Sequence, residues 1–212
     1  GQPLEHWERG RRQAGTSAGA CGFCQDWPAA LAWARSAVVL DETARTMVHA
    51  IKYEGWIVVA GAMGRAMRCL EPALKGADVL VPVPLGTSRL RERGHNQAAE
   101  LADALGSLTG LSVDRQALER RRETRSQTDL DPQARRRNVA GAFHARDAGI
   151  RGGKVVVVDD VLTTGATLCA AAEALMVAGA VSVGAVTFAR TSAPATCSPL
   201  PASSNSPTGV SL

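Results

Sequence analysis

"VVVVDDVLTTGATL", residues 155–168, is the stretch of sequence that decides the fold. Four valines run directly into Asp159 and Asp160, and "TTGAT" follows at 163–167. A continuous run of β-branched apolar residues is typical of a strand buried on both faces of a parallel sheet. Ligands of such sheets bind beyond the carboxyl ends of the strands, where these two aspartates are expected to lie.

Alternating strands and helices are predicted on both sides of this stretch. Extended segments are predicted over 78–84, 111–118, 139–143, 154–158 and 181–189. Helices are predicted from Asp41, over 57–74, over 96–110 and over 167–177, the first because Asp41 can cap and apolar residues recur at helical spacing. This order predicts an α/β fold, with a parallel sheet flanked by helices.

The chain divides into three predicted regions: an N-terminal segment over 1–40, a domain over 41–190 and a tail over 191–212. The tail carries no charge, and 13 of its 22 residues are Ser, Thr or Pro, so we expect it to be disordered. No apolar run approaches the roughly 20 residues of a membrane helix. Five cysteines, an odd count, favour a reducing cytoplasm.

The aspartates and the loop after them together predict a site for a sugar phosphate. Two adjacent carboxylates repel each other if buried, so they need a metal or a ligand with several hydroxyls as partner. The small residues of 163–167 let a ligand approach the backbone closely. Free N–H groups at the start of the following helix bind an anion, and the threonine hydroxyls add donors.

Other interpretations of the same residues stay open at this point. The aspartates could be helix caps or solvated loop residues. A strand followed by two acids also resembles a response-regulator receiver domain, although only 52 residues follow Asp160 here. A nucleoside-triphosphate P-loop requires a Lys-Ser/Thr pair after its second glycine, and the sequence has none at this loop.

The whole stretch resembles the signature with which type I phosphoribosyltransferases bind phosphoribosyl diphosphate (PRPP). By that resemblance Asp159 and Asp160 hold the ribose 2′ and 3′ hydroxyls. The loop residues that would wrap the 5′-phosphate are Thr163, Thr164, Gly165, Ala166 and Thr167. The resemblance also implies Mg²⁺, carried with the PRPP.

Further segments resemble the ComF family, a group of phosphoribosyltransferase-like bacterial proteins linked to natural competence and DNA uptake. The similarity covers roughly residues 21–190. The segments that carry it are "HAIKYEGW" (49–56), "VPVPLGTSRLRERGHNQAAELA" (81–102), "TRSQTDLDPQARRRNVAGAF" (124–143) and "VTFAR" (186–190).

Two more loops gain roles from this resemblance. The turn over 84–89 takes the position of the diphosphate loop, which makes Leu85, Gly86, Thr87 and Arg89 candidates for PRPP binding. The segment over 115–138 holds eight Arg against four acids and takes the position of a loop that closes over the diphosphate, with Arg125 as a catalytic candidate beside the aspartates. The alternatives are an ordinary strand-to-helix connection capped by Ser88 and a solvated charged loop.

ComF proteins usually begin with a zinc module of two CxxC pairs, and this chain has one. Cys21 and Cys24 are therefore an incomplete metal site, and we expect no zinc because structural sites use four ligands. For function, the resemblance implies a phosphoribosyltransferase with an unidentified, nucleobase-like acceptor. The alternative is a DNA-uptake factor that binds PRPP, single-stranded DNA or partner proteins without turnover.

Overall fold

The computed structural model describes residues 27–122, 139, 141–146 and 149–191. The predictions made for Cys21, Cys24, Arg125 and the tail after Thr191 concern residues outside these ranges. Most of the Arg-rich segment also lies outside them, so the closing-loop hypothesis stays a prediction.

Five parallel strands form the central sheet, in the order β1-β7-β6-β2-β3. Two further strands, β4 and β5, pair with each other in antiparallel fashion beside this sheet. The strands are β1 (Trp33–Val39), β2 (Val79–Pro82), β3 (Ser112–Val113), β4 (Leu118–Arg120), β5 (Phe143–Ala145), β6 (Lys154–Leu162) and β7 (Ser182–Arg190).

Five α-helices and one 3₁₀ helix accompany the strands in the described ranges. They are α1 (Glu42–Tyr53), α2 (Val58–Met67), the 3₁₀ helix (Arg68–Leu74), α3 (Thr87–Arg93), α4 (Gln97–Thr109) and α5 (Ala166–Val177). The predicted cap of α1 is confirmed, since Asp41 Oδ1 accepts a hydrogen bond from Ala44 N at 2.8 Å. None of these helices combines the length and apolarity needed to cross a bilayer.

The sheet is buried on both faces, and β6 shows why. Val155 and Val157 belong to the core under α5, whereas Val156 and Val158 belong to the core under α1, α2 and α4. Because alternate residues of a strand point to opposite faces, the valine run supplies both cores at once. The predicted parallel sheet flanked by helices is therefore confirmed. We call the two sides the α5 face and the α4 face.

The structure differs from the sequence-based prediction at β1 and at two of the predicted elements. β1 was not predicted, because this edge strand is only half-buried and includes Arg35 and Ser36. The single helix over 57–74 is wrong: α2 ends at Met67 and a 3₁₀ helix containing Pro72 follows, where proline supplies no N–H donor. The strand over 139–143 is also wrong in position, because Gly141 (φ 64°) turns the chain immediately before β5.

Two glycines of α2 provide a test of how tightly α2 packs on α4. A Cβ at Gly64 would lie 2.7 Å from Ala104 Cβ. One at Gly61 would lie 3.8 Å from Nη1 of Arg65, an ordinary van der Waals distance. We expect Gly64→Ala to destabilise the protein by about 1–3 kcal/mol through overpacking. Gly61→Ala should stabilise it by about 0.5–1 kcal/mol, since alanine is the better helix former. Denaturant unfolding of both variants checks the pair; equal effects would contradict the close contact.

Candidate active site at the carboxyl end of β6

The sequence suggested that the two aspartates lie beyond the end of a strand. In the structure they lie inside β6, which continues to Leu162. β6 pairs with β7 up to Leu162, but β2 pairs with it only as far as Val158. A last bond from Val83 N to Val158 O, at 3.0 Å, ends that side of the ladder. Asp159 and Asp160 therefore occupy the point where β2 has ended and β6 continues, which is the ligand-binding edge of a parallel sheet.

Asp159 and Asp160 serve opposite faces of the sheet. Asp159 lies on the α5 face, where it lines a shallow cavity together with the loop after β6. Asp160 lies on the α4 face, where its carboxylate contacts Lys52 of α1 and Gln97 of α4. Two residues that look equivalent in the sequence thus have different surroundings.

The cavity beside Asp159 brings together most of the predicted loop. Thr163, Gly165, Ala166 and Thr167 line it with Asp159. Thr164 Oγ1 instead accepts a hydrogen bond from Ala166 N at 3.4 Å, which holds the loop at the start of α5. The amino end of α5 therefore faces the same cavity as a carboxyl group, an arrangement suited to a ligand with both an anionic and a hydroxyl end.

Gly165 is required by its backbone and by its neighbour. Its φ of 77° is left-handed, which favours glycine. A Cβ there would also lie 2.5 Å from Cζ2 of Trp27, so the indole ring packs directly on the loop. Trp27 was not identified from the sequence, since it precedes every predicted element.

Asp160 is held from both sides on the α4 face. It is only 4% exposed. Lys52 Nζ forms an ion pair with its Oδ2, and Gln97 Nε2 donates to its Oδ1 at 3.5 Å. Gln97 is itself buried and accepts a hydrogen bond from Arg93 Nη1 at 3.2 Å. The sequence offered two signals for Lys52: it lies in "HAIKYEGW", a segment that resembles the ComF family, and it is one of three lysines in a chain with 21 arginines.

These surroundings shift the pKa values of the two carboxyl groups in opposite directions. Burial, and then the charge of Asp160, raises the pKa of Asp159 well above its ordinary value. Burial would also raise the pKa of Asp160, but the charge and hydrogen bond of Lys52, with the contacts of Asp159 and Gln97, hold it below its ordinary value. The pair titrates as one system, in which Asp160 ionises first and Asp159 keeps its proton longer.

The predicted diphosphate turn is shorter than expected. α3 begins at Thr87, so Thr87 and Arg89 lie in a helix and only Leu85 and Gly86 belong to the connection. Asn96 Nδ2 donates to Val83 O at 3.0 Å and fixes the start of this turn. Because β2 and β6 are parallel neighbours, the turn lies at the same edge of the sheet as Asp159, although within the described chain none of its four candidate residues lines the cavity.

Because the two pKa shifts have opposite directions, Asp159 and Asp160 are expected to change the stability of the fold with pH in opposite ways. A raised folded-state pKa means that Asp159 stabilises the fold below its ordinary pKa and loses that contribution as pH rises through the raised value. Asp160, with a lowered pKa, stabilises above its ordinary pKa and loses the contribution as pH falls through the lowered value. Relative to the natural chain, Asp159→Asn should gain melting temperature as pH rises. Asp160→Asn should lose about 1–3 kcal/mol near neutrality and recover in acid. Parallel pH profiles of thermal melts would contradict this assignment.

Comparison with known proteins adds family membership to this geometry. The sequence profile described as "Phosphoribosyl transferase domain" matches residues 58–197. A solved glutamine phosphoribosylpyrophosphate (PRPP) amidotransferase from Bacillus subtilis, complexed with ADP and GMP, is similar over 61% of this chain and 26% of its own, with a TM-score of 0.43 and 23% identity.

Curated relatives are similar over a larger part of the sequence. The "DNA utilization protein YhgH" of Salmonella typhimurium is 33% identical over 179 residues, which are 81% of this chain and 78% of the relative. The "Competence protein ComFC" of Bacillus subtilis is 33% identical over 118 residues, 53% of this chain and 44% of the relative. With a profile match over more than half its length and these relatives, the chain belongs to the phosphoribosyl transferase domain family, within its ComF group.

Proposed function

We propose that this protein binds PRPP with Mg²⁺ at the carboxyl end of β6 and transfers the phosphoribosyl group to a nucleobase-like acceptor. One observation carries the proposal: Asp159 and the 163–167 loop line one cavity at the amino end of α5. The acceptor itself is not identified by any residue of the described chain. The proposal places the protein in the cytoplasm, the compartment that its cysteine content favours.

Each part of the cavity would meet a different part of PRPP. The N–H groups that begin α5, with the hydroxyls of Thr163 and Thr167, would bind the 5′-phosphate, because a helix N-terminus attracts anions. Asp159 would accept a hydrogen bond from a ribose hydroxyl, after losing the proton that burial and Asp160 favour. Asp160, behind it on the α4 face, would complete the acidic pair that fixes the ribose.

Departure of diphosphate leaves positive charge on the ribose ring and negative charge on the leaving group. Mg²⁺ on the diphosphate would stabilise that negative charge. No group of three or more His, Cys, Asp or Glu that could hold a metal occurs in the described ranges. Such a site is not needed if Mg²⁺ arrives chelated by the substrate, as is usual for this ion. Arg125 and the residues at 85–89 are our candidates for donors to the diphosphate.

Replacement of Asp159 tests the proposed ribose contact. Asp159→Asn keeps the shape of the side chain and removes its charge. A charge-assisted hydrogen bond contributes about 1.5–3 kcal/mol, so the affinity for PRPP with Mg²⁺ should fall roughly ten- to a hundredfold. Titration calorimetry measures this fall. Asp41→Asn is a suitable control, because asparagine also caps a helix and Asp41 begins α1 at the end opposite Lys52.

Two results of these measurements would count against the proposal. Unchanged PRPP affinity in Asp159→Asn would remove the ribose contact. Absence of PRPP binding by the natural chain would remove the site as a whole. Transfer itself is tested by incubation with PRPP, Mg²⁺ and a panel of nucleobases, scored for release of diphosphate; binding without release would leave a PRPP-binding protein that is not a transferase.

A second function is favoured by one surface near the site. Tyr53 and Trp56, at the end of α1, are 63% and 57% exposed, and the guanidinium of Arg93 lies 4.9 Å from the centre of the Tyr53 ring. Exposed aromatic rings beside arginine are the usual platform for stacking the bases of single-stranded nucleic acid. This surface, with relatives named for DNA utilization and competence, supports a role as a non-catalytic DNA-uptake factor.

Trp56→Ala distinguishes this second function from the first. If the ring stacks on a base, the affinity for a single-stranded oligonucleotide should fall by about 1–3 kcal/mol, while PRPP affinity stays the same. Val177→Ala, at an exposed apolar residue ending α5, is the matched control. Fluorescence anisotropy with a labelled oligonucleotide makes the comparison. Equal affinity in the two variants would exclude Trp56 as a stacking platform.

A further inference from the structure

The α4 face of the site contains a cation that the proposed PRPP contacts do not use. Lys52 is placed in the last turn of α1, where its side chain is 21% exposed, and it pairs with a carboxylate that is almost fully buried. A buried carboxylate without a partner is costly and takes up a proton instead. Among the described residues, the charged groups that face Asp160 are Lys52 and Asp159, and Lys52 is the one of opposite sign.

The position of Lys52 is fixed by contacts between α1 and the segment that joins α3 to α4. His95 Nε2 lies 2.7 Å from the carbonyl oxygen of Ile51, the residue before Lys52. Arg93 lies over the ring of Tyr53, the residue after it. Gln97, the second partner of Asp160, is the first residue of α4, directly after this segment. Lys52 is therefore held between two anchored neighbours and is not a mobile surface lysine.

Asp159 depends on this arrangement although it lies on the other face. Asp160 N donates to Asp159 Oδ1 at 2.9 Å, so the two carboxyl groups are coupled through adjacent backbone. If Asp160 lost its cation, the pair would hold more protons and would offer fewer acceptors to a diol. The charge state of the cavity on the α5 face is thus set partly from the α4 face.

We propose that Lys52 is a positioning residue for the PRPP site, which holds Asp160 in place and offsets the negative charge that Asp160 brings beside Asp159, so that Asp159 can accept a hydrogen bond from a ribose hydroxyl. This inference rests on the proposed function and extends it to a helix that precedes the part of the chain matched by the family profile. It assigns to α1 a role in ligand binding as well as in covering the sheet.

Three substitutions test the role of Lys52 against PRPP with Mg²⁺. Lys52→Met should weaken PRPP binding by about tenfold or more, the loss expected when a charged partner is removed. The loss should grow as pH falls, because without Lys52 the two aspartates together hold protons more readily. Lys52→Arg keeps the charge and should restore affinity to within a few-fold. Lys154→Met, at the opposite end of β6, removes the same charge away from the site and should bind PRPP like the natural chain.

A purely structural role predicts a different outcome. Lys52→Met would then lower the melting temperature but leave PRPP affinity and its pH profile equal to those of Lys154→Met, which would overturn the proposal. If Lys52→Met does not fold, the double variant Lys52→Met with Asp160→Asn removes both charges of the ion pair. Recovery of folding in the double variant supports the pairing, and lack of recovery overturns it.

Infrared spectroscopy tests the same inference without any ligand. In an Asp159→Asn background, the absorption of a buried protonated carboxyl reports on Asp160. Addition of Lys52→Met should make that absorption persist to a pH at least about one unit higher, a tenfold change in proton affinity. If the natural chain fails to bind PRPP but this shift occurs, the proposed function fails while the control of Asp160 by Lys52 stands. If PRPP binds and the shift is absent, the proposal for Lys52 fails alone.

Discussion

Two carboxyl groups at successive positions of one strand are the constraint around which this site is built. Successive side chains of a strand point to opposite faces, so the two groups have separate surroundings, although their side chains remain close enough to interact. Asp160 enters the crowded α4 face, where only an ion pair with Lys52 and a hydrogen bond from Gln97 make a buried charge tolerable. Asp159 keeps the open cavity on the α5 face. The separation gives one carboxyl group a structural partner and leaves the other for a ligand.

The loop after β6 depends on the same separation. Because Asp159 points toward α5, the amino end of that helix and the 163–167 loop complete its cavity. Gly165 closes the turn with a left-handed backbone and lets the ring of Trp27 pack against it. A larger residue at 165 would strain the turn and also displace the indole. The strand β6 and the turn that follows it therefore position the 163–167 loop, α5 and the carboxyl group of Asp159.

The central part of the fold could be predicted from the sequence, and its margins could not. The valine run of β6 and the apolar segment of β2 identify buried parallel strands because burial on both faces excludes polar residues. β1 has no such signature, since an edge strand can carry Arg35 and Ser36 toward less buried surroundings. Asp159 and the loop were identified as candidate site residues because they are adjacent in sequence. Lys52 and Gln97 were missed because their contacts with Asp160 join residues far apart in the chain.

The part of the chain before residue 58, where the family profile begins, contributes to both the sheet and the site. β1 pairs with β7 along its length and covers an edge that would otherwise expose unpaired backbone. α1 follows β1 directly and ends at the carboxyl edge of the sheet, which is how Lys52 reaches Asp160. The segment that adds β1 to the sheet thus continues into the helix that supplies a cation to the buried carboxylate. A domain limited to the matched residues would lose the charge that balances Asp160 and the indole ring that packs on the 163–167 loop.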